Sequence, residues 1–260
     1  MGKIIAVANQ KGGVGKTTTS INLAAGLAYL HKKVLLVDFD PQGNASQGIG
    51  TKRKKNQKTV YEMILGEANP KDTIVSLSVP PMDVITANIN LSGAELEMAS
   101  IAEGREKLLA NKLAEIVDLY DFIIIDCPPS LGLLNTNALT AADAVIIPVQ
   151  CEYYALEGLT QLLSTIRLVQ RLFNPRLTIE GVLLTMFDNR TKLSVEVQQE
   201  VRKYFKERVY KSFIPRNIKL AEAPSCEQSI FDYEIKSEGA KAYASLAREV
   251  INAAEREAKK

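Results

Sequence analysis

Lys11-Gly12-Gly13-Val14-Gly15-Lys16-Thr17-Thr18 gathers three glycines, two lysines and two threonines into eight consecutive residues. Glycines let successive backbone N–H groups turn inward around a phosphate, a lysine reaches the β- and γ-phosphates, and a threonine hydroxyl serves Mg²⁺. On this pattern Gly12, Gly13, Val14 and Gly15 form the cradle, Lys16 is the phosphate lysine, and Thr17 is the metal-side hydroxyl with Thr18 beside it. The usual spacing, G-x-x-x-x-G-K-[ST], needs its first glycine at position 10, where this chain has Gln10. The loop therefore departs from the standard and carries a surplus lysine, Lys11, at its rim. A second cation there can complete the charge stabilisation of the γ-phosphate from outside, as an arginine finger does. If two molecules meet face to face, Lys11 of each reaches the nucleotide of the other, and Gly12, having no side chain, permits the approach.

Two acidic segments complete the chemistry. Phe122-Ile123-Ile124-Ile125-Asp126 is an apolar run ending in a carboxylate, as a Walker B strand requires, so Asp126 is expected to hold Mg²⁺ through water together with Thr17. Val34-Leu35-Leu36-Val37-Asp38-Phe39-Asp40 is a second such run. In an extended chain Asp38 and Asp40 project to the same side. One of the pair would support Mg²⁺ or the loop while the other orients the attacking water; the plainer alternative is that they cap the next helix.

These residues need elements to place them. Apolar runs at 4–8, 34–38, 84–86, 122–126, 144–149, 179–186 and 209–214 read as strands, and several lack alternation, which suits a parallel sheet covered on both faces. Helical patterns fall at 17–30, 103–119, 134–142, 155–171, 194–205 and about 239–257. Alternating strands and helices predict an α/β fold with a doubly wound, mainly parallel sheet, ligands sitting at the carboxyl ends of the strands. Phosphate would then lie at the N-terminus of the first helix, where free N–H groups favour anions. The stretch 43–60, with its Lys52-Arg53-Lys54-Lys55 run, breaks the alternation and is expected to be an exposed loop.

The chain's 260 residues suit one large domain over 1–260, since no Pro/Gly/Ser-rich linker or repeat divides it. Cys127, Cys151 and Cys226 are odd in number and form no C-x-x-C pair, which fits a reducing cytosol rather than a disulfide framework. No apolar run approaches 18 residues and no signal peptide is evident, so a cytoplasmic protein is expected. The one histidine, His31, is expected at a helix end rather than in catalysis.

The phosphate loop, Asp38-x-Asp40-Pro41-Gln42-Gly43-Asn44 and Asp126-x-Pro128-Pro129 together resemble the deviant Walker A ATPases of the ParA/MinD superfamily, and more narrowly the ParA/Soj partition ATPases. Gln150-Cys151-Glu152-Tyr153-Tyr154-Ala155-Leu156-Glu157-Gly158, Ile214-Pro215-Arg216-Asn217 and Leu220-Ala221-Glu222-Ala223-Pro224-Ser225 extend the resemblance over nearly the full length. It implies an ATP- and Mg²⁺-dependent ATPase that forms an ATP-sandwich homodimer, with Lys11 acting in trans and Asp40 positioning the hydrolytic water. It places adenine contacts near Met186, Pro215, Arg216 and Asn217, and Glu152 at the dimer interface. It further implies a ParB/Spo0J-like centromere-binding partner that stimulates hydrolysis, and a nucleoid-associated location.

Charge speaks to the remaining partner. Between positions 190 and 219 lie nine basic residues (Arg190, Lys192, Arg202, Lys203, Lys206, Arg208, Lys211, Arg216, Lys219) and three acidic ones (Glu196, Glu200, Glu207), a net +6 in a chain of net +2. A basic face with few aromatics suits backbone contact with double-stranded DNA without base readout. Arg190, Lys192, Arg202, Lys203, Lys206 and Lys219 are the candidate contacts, supported by the resemblance to Soj, where this region meets DNA. A membrane-surface relative would need a terminal helix with a bulky apolar insertion face; residues 242–260 are instead rich in Ala, Glu and Lys. A redox relative would need placed cluster cysteines, and Cys127 and Cys151 make no obvious pair.

Overall fold

Seven strands, β1 (Lys3–Val7), β2 (Val34–Asp38), β3 (Ile74–Ser76), β4 (Asp83–Ile85), β5 (Phe122–Asp126), β6 (Ala144–Gln150) and β7 (Thr178–Thr185), form one sheet in the order β3-β4-β2-β5-β1-β6-β7. All pair in parallel except β3, which runs antiparallel to β4 at one edge. The computed structural model describes residues 2–51, 56–152 and 157–259, without the side chains of 157 and 158. The basic run at 52–55 and the motif residues 153–156 lie outside the described residues.

The helices are α1 (Lys16–Tyr29), α2 (Asn44–Gly48), α3 (Val60–Ile64), α4 (Leu91–Ala99), α5 (Leu108–Ala114), α6 (Leu133–Ala141), α7 (Glu157–Leu172), α8 (Lys192–Phe205), α9 (Ile218–Glu222), α10 (Ile230–Glu234) and α11 (Glu238–Ala258). Continuous apolar strands serve two cores. Ile5, Val7, Leu36 and Ile124 join Leu23 and Leu27 of α1 and Tyr243 and Leu246 of α11 on one side. Ile4, Ala6, Leu35, Val37, Ile123 and Ile125 join Leu109, Leu139 and Leu162 on the other. Because side chains alternate across a strand, a run with no polar member fills both layers.

Three expectations change. Residues 209–214 do not form a strand: they run beside β7 with isolated bridges at Val182–Val209 and Phe187–Pro215. The Lys211 and Ser212 amides donate instead to the Glu249 carboxylate of α11, at 2.9 and 2.7 Å. The single helix expected over 103–119 is broken, because Gly104 adopts φ 79° before a 3-10 turn at Arg105–Lys107, and a second such turn at Val117–Leu119 follows α5. The stretch 43–60 is not uniformly exposed: α2 buries Ala45, Ser46 and Gly48, and Val60 is fully enclosed. His31 stands just past α1 in the left-handed region, φ 62°, and its amide closes the helix on the Ala28 carbonyl.

The parallel register sets the site. Val7, Asp126 and Asp38 are level neighbours at the carboxyl ends of β1, β5 and β2. The phosphate-loop motif leaves β1 at that edge, where open α/β sheets bind ligands.

Candidate active site

The loop from β1 to α1 takes the backbone its glycines allow. Gly13 and Gly15 have φ 76° and 88°, a left-handed region unfavourable for side-chain-bearing residues. Gly15 precedes α1 with no side chain capping the helix, so the first-turn N–H groups stay free for an anion. Val14 is buried, and its carbonyl accepts from the Thr185 hydroxyl at 2.9 Å, tying the loop to the end of β7.

Lys16 lies beneath the loop, 7% exposed, and its ammonium donates to the Lys11 carbonyl at 3.0 Å. Burial lowers its pKa, opposed by the charges of Asp126 and Asp40. Lys11 is at the rim: its amide donates to Asn9 Oδ1, and its half-buried ammonium pairs with Glu152 of the same chain. Glu152 therefore reaches the loop through the surplus lysine.

Asp126 is wholly buried and accepts from the Thr17 hydroxyl on Oδ2 and the Ser20 hydroxyl on Oδ1, both at 2.8 Å. Burial, reinforced by the charge of Asp38, pushes its pKa up. Ser20 escaped the sequence reading, although it stands three residues after Thr17 and so shares its helix face.

Asp38 and Asp40 divide their work. Asp38, fully buried, accepts from the Ser46 amide at 2.7 Å, the Ser46 hydroxyl at 2.6 Å and the Asp40 amide at 3.2 Å. Both its oxygens thus hold the loop that carries Asp40; of the roles open to the pair, Asp38 takes loop support. Asp40 lies beyond the strand, 7% exposed, with Oδ1 accepting from the Gln42 amide. Ser46, also missed, gave no signal because it sits in a five-residue helix without periodicity.

A cavity of about 240 Å³ opens beside the loop, lined by Gly15, Thr18, Met186, Pro215, Arg216 and Asn217 among others. The sequence-expected adenine contacts are therefore adjacent to the phosphate cradle. Asn217 Oδ1 caps α9 through the Lys219 amide at 2.8 Å, leaving its side-chain NH₂ as the available donor.

The residues present suit Mg²⁺: a hydroxyl and a carboxylate 2.8 Å apart next to an uncapped helix end match an ion that takes few protein oxygens and completes its shell with water and phosphate. Among the described residues no group of three or more His, Cys, Asp or Glu gathers as a metal cage, and that chemistry needs none.

The basic candidates separate into two sets. Arg190, Lys192, Lys203 and Lys219 each have an acidic neighbour on their own segment, Asp188, Glu196, Glu200 and Glu222. Arg190 grips Asp188 through two nitrogens, at 2.9 and 2.7 Å, and holds that carboxyl down to about 2. Arg202 and Lys206 line a separate cleft with Arg208, Lys211 and Arg256.

A mainly parallel sheet with a lysine-rimmed phosphate loop and a Thr17–Asp126 pair defines a P-loop ATPase of the deviant Walker A class. The family model described as an AAA domain matches residues 2–179. The chain is 57% identical over 250 residues to the sporulation initiation inhibitor protein Soj of Bacillus subtilis, covering 96% of this chain and 98% of that one. It is 51% identical over 251 residues to the chromosome-partitioning ATPase Soj of Treponema pallidum, covering 96% and 98%. The chain belongs to the ParA/Soj family of chromosome-partitioning ATPases. A solved structure described as cobyrinic acid a,c-diamide synthase from Mycobacterium smegmatis, with bound ADP and magnesium, superposes with TM-score 0.86 at 40% identity, covering 98% of this chain and 96% of that one.

Proposed function

We propose that this chain is a molecular switch in which ATP closes two copies face to face, the closed dimer holds double-stranded DNA without sequence preference, and hydrolysis lets it go. The observation that carries the reading is Lys11: it stands at the rim, serves no phosphate position that Lys16 does not already fill, and lies beside a Gly12 whose missing Cβ would meet nothing within 4 Å in its own chain. A glycine with no intramolecular neighbour and an ordinary φ is explained by a second molecule approaching it.

In the site, Lys16 and the α1 N-terminus hold the β- and γ-phosphates, and the cavity beside Met186 and Pro215 takes adenine. Asp126 and Thr17 would hold Mg²⁺, which when bound neutralises phosphate charge. Asp40, fixed by the Asp38–Ser46 contacts, orients the attacking water, and Lys11 of the partner completes the charge around the γ-phosphate. Positioning and charge neutralisation dominate phosphoryl transfer, so no covalent role is required.

DNA attachment follows from assembly. One basic face making few phosphate contacts binds in the non-specific range, ~10⁻⁴ M or weaker, and joining two raises avidity by roughly 10²–10⁴. Arg190, Lys192, Lys203 and Lys219 supply that face, exchanging their carboxylate neighbours for phosphates. A ParB-like protein, by kinship with the partition family, is the stimulating partner. The metabolic description of the Mycobacterium smegmatis protein carries less weight than 57% identity across almost the whole of a Soj protein.

Sedimentation velocity tests the switch. With ATP the parent should sediment as a dimer and Lys11→Ala as a monomer that still binds nucleotide; a dimeric Lys11→Ala overturns the reading.

A further inference from the structure

Beyond the nucleotide site, a cleft of about 750 Å³ opens where the start of β7, the end of α8 and the end of α11 meet. Its walls carry Arg202, Lys206, Arg208, Lys211 and Arg256. Among the described residues none of these five forms an ion pair, whereas Arg190, Lys192, Lys203 and Lys219 do. Three acids share the cleft with these five cations: both Glu249 oxygens accept from the Lys211 and Ser212 amides, Glu180 Oε2 accepts from Lys3 at 2.7 Å, and Glu207 stands on the wall beside Lys206 and Arg208.

Its lining also includes two polar side chains with unmet hydrogen bonds. Tyr210 is 8% exposed and Glu180 has a side-chain exposure of 3%, yet Tyr210 Oη and Glu180 Oε1 are buried with no hydrogen-bond partner. A buried polar atom without a partner is unfavourable, so two of them in one pocket leave hydrogen-bonding capacity for a further group. The pair has a defined chemistry: Glu180 Oε1 only accepts, and Tyr210 Oη both donates and accepts.

We propose that this cleft binds a compact phosphorylated ligand of nucleotide size, its phosphates on the arginine and lysine wall and its hydroxyl groups on Glu180 and Tyr210. Arginine forks match phosphate oxygens bidentately, and a hydroxyl satisfies a carboxylate oxygen that a phosphate would repel. The cleft's concavity and its acidic floor favour such a ligand over the backbone of duplex DNA, which needs protruding cations and no buried acceptor.

The test uses the full chain saturated with Mg-ADP, so that the phosphate loop is filled, titrated calorimetrically with pyrophosphate, uridine 5′-diphosphate and a short DNA duplex. One further site should appear for both small anions, uridine 5′-diphosphate binding about tenfold more tightly, a difference of about 1.4 kcal/mol. Arg208→Ala/Arg256→Ala should weaken both by at least about tenfold with basal ATPase activity and thermal midpoint kept, and Tyr210→Phe should remove only the advantage of the hydroxyl-bearing ligand. No additional site, a site untouched by the double substitution, or a cleft that responds to the duplex alone overturns the proposal.

Discussion

Ser46 donates its hydroxyl to Asp38 at 2.6 Å and accepts on the same oxygen from the Ala87 amide at 3.0 Å, so one side chain ties the end of β2 to the segment after β4. Asp38 in turn receives the Asp40 amide, so the residue we propose for orienting the attacking water is set by a chain of contacts that starts beside the adjacent strand, β4. Ser46→Ala should lower the turnover of bound ATP by about tenfold with KM little changed, because it loosens Asp40 and leaves the phosphate cradle alone. Loss of the bond to a buried carboxylate should also cost about 1.5–3 kcal/mol of stability. Ser46→Thr, which keeps the hydroxyl, should recover most of both; a shift confined to KM contradicts the assignment.

The glycines of the loop should separate into two kinds. Gly15→Ala forces a side chain into φ 88° and should destabilise the single chain by about 1–2 kcal/mol. Gly12→Ala meets open space and should leave the thermal midpoint of the nucleotide-free chain within about 0.5 kcal/mol of the parent while abolishing ATP-dependent dimerisation. Thermal melts and light scattering on both variants decide the matter, and a destabilised Gly12→Ala would place that residue's role within the chain.

Burial raises the pKa values of Asp38 and Asp126 above those of the unfolded chain, in each case as the largest cause. The folded state therefore retains protons that the unfolded state releases, and the resulting stabilisation is full below the ordinary carboxylate range of about 4 and is lost as pH rises towards neutrality. Nucleotide-free parent protein should lose more stability between pH 5 and pH 7 than Asp126→Asn, which keeps only Asp38 of the two raised carboxyls. Denaturant midpoints across that range test the point; parallel pH profiles for the two proteins contradict it.

Much of this was legible in the residues because the chemistry fixes the spacing. The loop glycines, Lys16, Thr17 and Asp126 occupy the positions that a phosphate and Mg²⁺ site would dictate, and the apolar runs ending at Asp38 and Asp126 form strands buried on both faces. What escaped depends on partners distant in sequence. Ile74–Ser76 is three half-exposed residues long, too short for a pattern, and forms a strand only because β4 offers it an edge. Residues 209–214 look like a strand, and the Tyr210 and Ile214 amides do donate to β7, but Glu249, nearly forty positions on, claims the Lys211 and Ser212 amides between them. Likewise a count of charges could not divide the basic segment into residues paired on the surface and residues gathered in a cleft.

Removal of the surplus lysine should cost catalysis far more than binding. If Lys11 completes the partner's γ-phosphate charge, Lys11→Ala should lower ATP turnover by 10³-fold in order of magnitude, as loss of an arginine finger does, with nucleotide affinity close to that of the parent. Single-turnover hydrolysis beside equilibrium nucleotide binding separates the two, and an equal fall in both would return Lys11 to its own loop.

The switch itself is tested most directly by the anisotropy of a labelled, non-specific DNA duplex with ATP and with ADP, measured for the parent, Lys11→Ala and Arg190→Ala. The parent should bind at least about 10²-fold more tightly with ATP than with ADP. Lys11→Ala should bind weakly and equally with both, and Arg190→Ala should dimerise with ATP and still bind DNA poorly. Parent-like, ATP-dependent binding by both variants would contradict the account.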